Sequence, residues 1–213
     1  MNNLVDFLQI IGTIAFSISG SLTAIGANLD IFGVVFVGYI TSVGGGIIRD
    51  ISLGVVPPAI FSDYIICAVA LLTSVMVFAI AYIKSDRFNT LRLKVEYINN
   101  FFDAVGLGVF SVIGAQTCIA NVFSDNPLLV IVSGMITGIG GGIMRDVLIN
   151  TTPYVFKKHI YALASISGTV LYFVLINNFD NNFFVSVLAI SLVVIIRLLA
   201  TRYCWSLPKV TLK

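Results

Sequence analysis

Charge is what this chain has least of. Of 213 residues, 12 are Lys or Arg and 10 are Asp or Glu, a charged fraction of 10%, where a soluble domain carries about 25%. The net charge of +2 is too small a basic excess to point to nucleic acid, which is excluded as a partner. Cysteine is equally sparse. Cys67, Cys118 and Cys204 are isolated, odd in number and free of any CxxC or Cys/His cluster, so neither a disulfide framework nor a structural metal site is supported. They are expected to be buried thiols behaving as small hydrophobes. The single histidine, His159, sits beside Lys157 and Lys158 and reads as a solvated loop residue rather than a pH switch. No HExxH, GxSxG, P-loop or dinucleotide-binding pattern occurs, so the chain is not expected to be an enzyme or to need a cofactor. The N-terminus, MNNLVDFLQIIGTIAF, lacks a basic leader and a small-residue cleavage site and is expected to be a retained span.

What the chain has instead is apolar length. Hydrophobic residues make up 58%, arranged in seven segments of membrane-crossing length at about 4–27, 31–54, 59–83, 99–120, 127–150, 155–177 and 183–203. Turn formers separate them, among them Asn28-Leu29-Asp30, Pro57-Pro58, Asp125-Asn126-Pro127, Thr152-Pro153 and the run from Asn177 to Asn182. One longer polar connection, 84–98, divides the chain.

The two halves are repeats. At an offset of 96, Gly38, Gly44, Gly45, Gly46, Arg49, Asp50 and Pro57 map onto Gly134, Gly140, Gly141, Gly142, Arg145, Asp146 and Pro153. In the first span of each half, Ile25-Gly26-Ala27 is matched to Ile113-Gly114-Ala115 at an offset of 88. Three spans per repeat require the second copy to enter from the opposite side, so the repeats are inverted. The predicted fold is an all-α integral membrane protein with two inverted three-helix repeats, residues 1–83 and 99–177. A cytoplasmic linker, 84–98, joins them, and a seventh helix with a cytoplasmic tail, 178–213, is an unpartnered appendage. Charge supports the count. Lys84, Arg87, Arg92, Lys94, Lys157, Lys158, Arg202, Lys209 and Lys213 all fall on one side and none on the other. The positive-inside rule makes that side the cytoplasm, with the N-terminus outside and the C-terminus inside the cell inner (plasma) membrane.

Inside the spans, residues 44–50 read GGGIIRD and residues 140–146 read GGGIMRD. Glycine has the most backbone freedom to lose in a helix, so each helix is predicted to break or kink at Gly44, Gly45 and Gly46 and at Gly140, Gly141 and Gly142. A break would leave carbonyls of Thr41, Ser42, Val43, Thr137, Gly138 and Ile139 to face a cation, and free N–H groups to face an anion. Close packing of helices through small residues is the other use of such a run. Arg49, Asp50, Arg145 and Asp146 put charge beside the break. Helix neighbours point about 100° apart, so each is expected to find a cross-span partner. These charges either line a path or brace the bundle as ion pairs. Asp103, near the start of span four, is expected to pair with Arg145 or Lys94. Hydroxyls of Thr41, Ser42 and Thr137 are candidates for a wet path, as are Ser19 and its neighbours on span one, although each can bond its own helix. Gly20, Gly106 and Gly108 offer close-contact surfaces. Tyr64, Tyr154, Tyr161 and Trp205 are placed as interfacial anchors.

The twin GGGxxRD segment, the three-plus-three-plus-one spans and the outside N-terminus resemble the prokaryotic TRIC family, the trimeric intracellular cation channels, a glycine-rich bacterial membrane family also labelled as glycine transporters. The resemblance covers roughly residues 5–203. It implies a homotrimer in membrane lipid with one pore inside each protomer, permeable to K+ and less selectively to Na+, lined by the second and fifth spans. By matching motifs that role falls on Gly44 to Gly46 and Gly140 to Gly142, with Arg49, Asp50, Arg145 and Asp146 beside them. The Lys-Glu-Val motif of the animal members is replaced here by GGGIIRD. A secondary transporter for a small amino acid such as glycine, rocking its repeats about a midplane site, fits the same pattern.

Overall fold

The computed structural model describes residues 3–85, 90–123, 126–157, 160–179 and 181–205. Arg87, Lys158, His159, Lys209 and Lys213 lie outside the described residues, as do the side chains of Arg92 and Lys157. The main helices are α1 (Asn3–Gly26), α2 (Ile31–Ser52), α3 (Tyr64–Ile83), α4 (Arg92–Cys118), α5 (Pro127–Leu148), α6 (Tyr161–Ile176) and α7 (Asn182–Arg202). No strand occurs among the described residues. Helices α1 to α5 and α7 are long and apolar enough to cross a membrane. Helix α6, with 16 residues, is about 24 Å long at the usual rise.

Local chemistry sets the helix starts. The side chains of Asp30, Asp63, Asn126 and Asn181 accept hydrogen bonds from the backbone N–H of Gly33, Ile66, Leu129 and Phe184, capping α2, α3, α5 and α7. Pro127 follows its cap in the first turn, where its missing N–H does no harm. The ends of α2 and α5 match each other: Leu53 N–H and Ile149 N–H reach back to the Arg49 and Arg145 carbonyls, at 2.9 and 3.1 Å. Gly54 and Asn150 then turn the chain at positive φ.

Two expected boundaries move. Helix α4 begins at Arg92, so half of the expected linker is helical, because Leu93 to Ile98 continue the helical run into the span. The expected span 155–177 is divided into a one-turn helix, Tyr154–Lys157, and α6, which begins at Tyr161.

Helices α1, α2, α4 and α5 form the centre, with α1 against α2 and α4, and α5 against α2 and α4. Helix α3 packs outside α1 and α2, and α6 packs outside α4 and α5 in the equivalent place. The halves are thus related by a pseudo-two-fold axis. Gly12 abuts the Phe110 ring while Gly106 abuts the Phe16 ring, and the two rings stack with centroids 5.2 Å apart. Gly20 abuts Thr41 and Gly38 while Gly114 abuts Thr137 and Gly134. These reciprocal contacts run in opposite directions along α1 and α4, so the repeats are inverted. They also correct the register: the first spans correspond at an offset of 94, with Gly20 matching Gly114, and the Ile25-Gly26-Ala27 match is coincidental.

Helix α7 stands outside the two repeats but is not loosely attached. It packs on α4 and α6, where Gly108 of α4 lets the Ile190 carbonyl and Val193 approach closely. Cys118 is buried as expected and Cys67 partly so, but Cys204 is exposed, because it follows the end of α7.

Candidate functional site

The twin glycine runs meet at the centre of the molecule. Helices α2 and α5 pass through Gly44 to Gly46 and Gly140 to Gly142 without interruption, so the expected break is absent. The carbonyls of Thr41, Ser42, Val43, Thr137, Gly138 and Ile139 lie inside continuous helix, not at a broken end. The physical reason is that a ladder broken inside a closed, dry seam would leave polar groups without partners, a cost exceeding the roughly 1 kcal/mol propensity penalty of each glycine. The glycines serve contact instead. A methyl group on Gly45 would overlap the Thr137 carbonyl oxygen, and one on Gly141 would overlap the Thr41 carbonyl oxygen. The two backbones therefore touch along a symmetric seam that only glycine permits, with no room for an ion between them at that level.

The hydroxyls flanking the seam are committed as donors. Thr41 Oγ1 donates to Val37 O and Thr137 Oγ1 to Ser133 O, both at 2.6 Å, and Ser42 Oγ donates to Tyr39 O at 2.8 Å. Their remaining capacity is acceptor lone pairs.

At each end of the seam the neighbouring charges do pair with each other. Arg49 Nη2 lies 2.7 Å from Asp50 Oδ1, and Arg145 Nε lies 2.8 Å from Asp146 Oδ1. The second oxygen of each carboxylate accepts a backbone N–H from the segment after its helix, from Ala59 at 2.9 Å and from Tyr154 at 2.8 Å. Each Asp thus ties an arginine to the following turn. The expected cross-span partner exists for Arg145. Its Nη1 lies 2.7 Å from Asp103 Oδ1 on α4 and 3.0 Å from Ser19 Oγ on α1. For Arg49 the pairing found among the described residues is with its neighbour Asp50.

Asp103 also has a partner that sequence reasoning missed. Arg197 Nη2 of α7 lies 3.6 Å from Asp103 Oδ2. Two arginines and two carboxylates, with side chains at most 2% exposed, form one neutral cluster across α4, α5 and α7. Two tyrosines expected at the interface complete it. Tyr154 lies under the Arg145 guanidinium at 5.1 Å, and Tyr161, 3% exposed, lies under that of Arg197 at 4.5 Å. Tyr64 and Trp205 are exposed, as interfacial anchors would be.

This architecture has known counterparts. A family model described as glycine transporter matches residues 6–82 and again residues 100–177. The UPF0126 inner membrane protein YadS of Escherichia coli (strain K12) is 37% identical over 206 residues, 96% of this chain and 95% of YadS. A prokaryotic TRIC channel crystallised in 0.5 M KCl superposes with a TM-score of 0.85 at 35% identity, covering 97% of this chain and 100% of that one. The chain belongs to the TRIC family. The TRIC orthologue from Rhodobacter sphaeroides agrees, with a TM-score of 0.83 at 26% identity over 96% of this chain. These relatives are membrane proteins and channels, not enzymes. A TRIC fold with several apolar helices makes the chain a multi-pass membrane protein.

Proposed function

We propose that this TRIC-family chain is a potassium-permeable monovalent-cation channel, a homotrimer with one path inside each protomer along the α2/α5 seam. The carrying observation is the likeness to the prokaryotic TRIC channel over essentially its full length. With the Gly45 and Gly141 contacts closed, conduction requires α2 and α5 to separate. Charge placement supports a cytoplasmic linker at 84–98, an outside N-terminus and an inside C-terminus in the cell membrane. The permeant ion is K+, with Na+ less favoured.

Purified protein in a planar bilayer should give unitary currents whose reversal potential follows an imposed K+ gradient. The description of the matching family model favours a second reading, a glycine transporter. Saturable glycine uptake into vesicles with no unitary current would replace the channel reading with that one.

A further inference from the structure

The seam between α2 and α5 is sealed by more than backbone. Each GGGxxRD run carries two apolar residues between its glycines and its arginine, and the two face different ways. The first of each pair packs into a core beside its own helix. Ile47 lies against the cluster of Val43, Ile60 and Ile66, and Ile143 against the one that contains Phe16, Leu107 and Phe110. The second of each pair reaches across the seam. A methyl group on Gly44 would overlap Met144 Sδ, and one on Gly140 would lie 3.2 Å from Ile48 Cδ1. Met144 therefore covers the first glycine of the run in α2, and Ile48 covers the first glycine of the run in α5.

The two helices run antiparallel here, since Gly45 meets Thr137 and Gly141 meets Thr41. Ile48 and Met144 each stand about one turn beyond the first glycine of their own run, so they lie on opposite sides of the backbone contact. Both are half-buried, covered by glycine on one side and open on another. They are unequal in stiffness. Ile48 is β-branched and held at χ1, while the unbranched thioether of Met144 has three rotatable bonds and moves more easily. We propose that Ile48 and Met144 are the gate of the path, two apolar plugs that keep water and ions out of the seam until they leave Gly140 and Gly44. What passes the gate rests on the channel reading; what closes it rests on these contacts. An apolar constriction closes by shedding water and conducts once wetted, so polarity rather than size controls this one. Gln has nearly the length of Met and adds an amide, whereas Leu has nearly its volume and stays apolar.

The test compares full-length variants in vesicles of one lipid composition, with two readouts. One is unitary K+ current. The other needs no current: Thr41, fully buried beside the seam, is changed by Thr41→Cys in every protein, and alkylation at that position by a water-soluble thiol reagent is followed by mass spectrometry of its peptide. Met144→Gln should raise the open fraction and the alkylation rate roughly tenfold or more, because its closed state buries an amide without a partner. Met144→Leu should leave both at the parent's level, as should Met76→Gln at a methionine that is 59% exposed. Ile48→Thr keeps the β-branch and adds a hydroxyl; it should act in the same direction as Met144→Gln and reports independently if that variant does not fold. Equal effects of Gln and Leu at position 144, or unchanged alkylation in both Met144→Gln and Ile48→Thr, would overturn the proposal. Absence of current from every protein counts against the channel reading alone, and the alkylation rates still decide whether these two side chains seal the seam.

Discussion

Removing the charge of Asp103 tests whether the buried cluster is one balanced unit. Asp103 faces Arg145 at 2.7 Å and Arg197 at 3.6 Å, with side chains at most 2% exposed. At an effective dielectric constant of about 20, these contacts correspond to roughly 6 and 5 kcal/mol of Coulomb attraction. Desolvation of the ions offsets most of that. What survives in a measurement is the cost of leaving charge buried and uncompensated, about 3–5 kcal/mol when one partner of a buried pair is removed.

Asp103→Asn should therefore lower stability by about 3–5 kcal/mol, since two guanidinium groups remain beside the single carboxylate of Asp146. Arg197→Met removes one cation and an aromatic contact, yet Asp103 keeps its shorter bond to Arg145, so the loss should be smaller. The double variant restores the balance of one cation and one carboxylate. It should be more stable than Asp103→Asn alone, with a coupling energy of about 1–3 kcal/mol. Thermal unfolding of the four proteins in one detergent is the assay; for a chain of this size each kcal/mol moves the midpoint by about 2–4 °C. Strict additivity of the two changes, or an Asp103→Asn protein as stable as the parent, would refute the idea of a charge-balanced cluster.

The glycine runs should prove unequal. Gly45→Ala and Gly141→Ala must push the α2 and α5 backbones apart, at about 1–3 kcal/mol each, whereas a methyl on Gly46 meets only the Arg49 side chain at 3.8 Å and should be nearly silent in the same unfolding assay. Equal effects at all three positions would contradict a contact role. Gln9 occupies in α1 the place that Asp103 holds in α4, at the 94-residue register. Gln9→Asp should change stability by no more than about 1 kcal/mol, far less than the reverse exchange Asp103→Gln; similar penalties would refute the inequivalence of the two halves. Hydrogen exchange in nanodiscs should be faster at the backbone amides of residues 44–46 than of residues 140–142, and the opposite order would place the looser helix in the second repeat.

Much of this fold is legible in the residues because the bilayer imposes length and polarity rules. Seven apolar runs, four of them capped by Asp30, Asp63, Asn126 and Asn181, announce the helices, and the GGGxxRD pair announces the second-span correspondence. The first-span register was legible too, in the pattern G-x-x-x-F-S-x-x-G at residues 12–20 and 106–114, but the shorter IGA match obscures it. The break predicted at the glycines fails because helix propensity describes the chain in water. In lipid the backbone must keep its ladder, and the missing side chains become a contact surface. Arg197 could not have been paired from sequence. It stands in the one unrepeated helix, with its partner 94 residues away on α4, and neither spacing nor periodicity connects them.

The pseudo-symmetry and its failure have different consequences for motion. The seam is symmetric, Gly45 against the Thr137 carbonyl and Gly141 against the Thr41 carbonyl, so neither helix is favoured by the contact itself. The anchoring is not symmetric. Helix α5 is held through Arg145 to Ser19 of α1 and Asp103 of α4, and Asp103 reaches α7 through Arg197. Helix α2 carries the equivalent arginine, but Arg49 pairs with its own neighbour Asp50, and that carboxylate bonds the turn at Ala59. Separating the seam by moving α5 would disrupt a buried network of charges. Moving α2 carries its Arg-Asp pair along intact. The duplicated motif thus supplies two matching faces, while the unduplicated residues Asp103 and Arg197 anchor only the α5 face to its neighbours, which is why faster exchange is expected at residues 44–46.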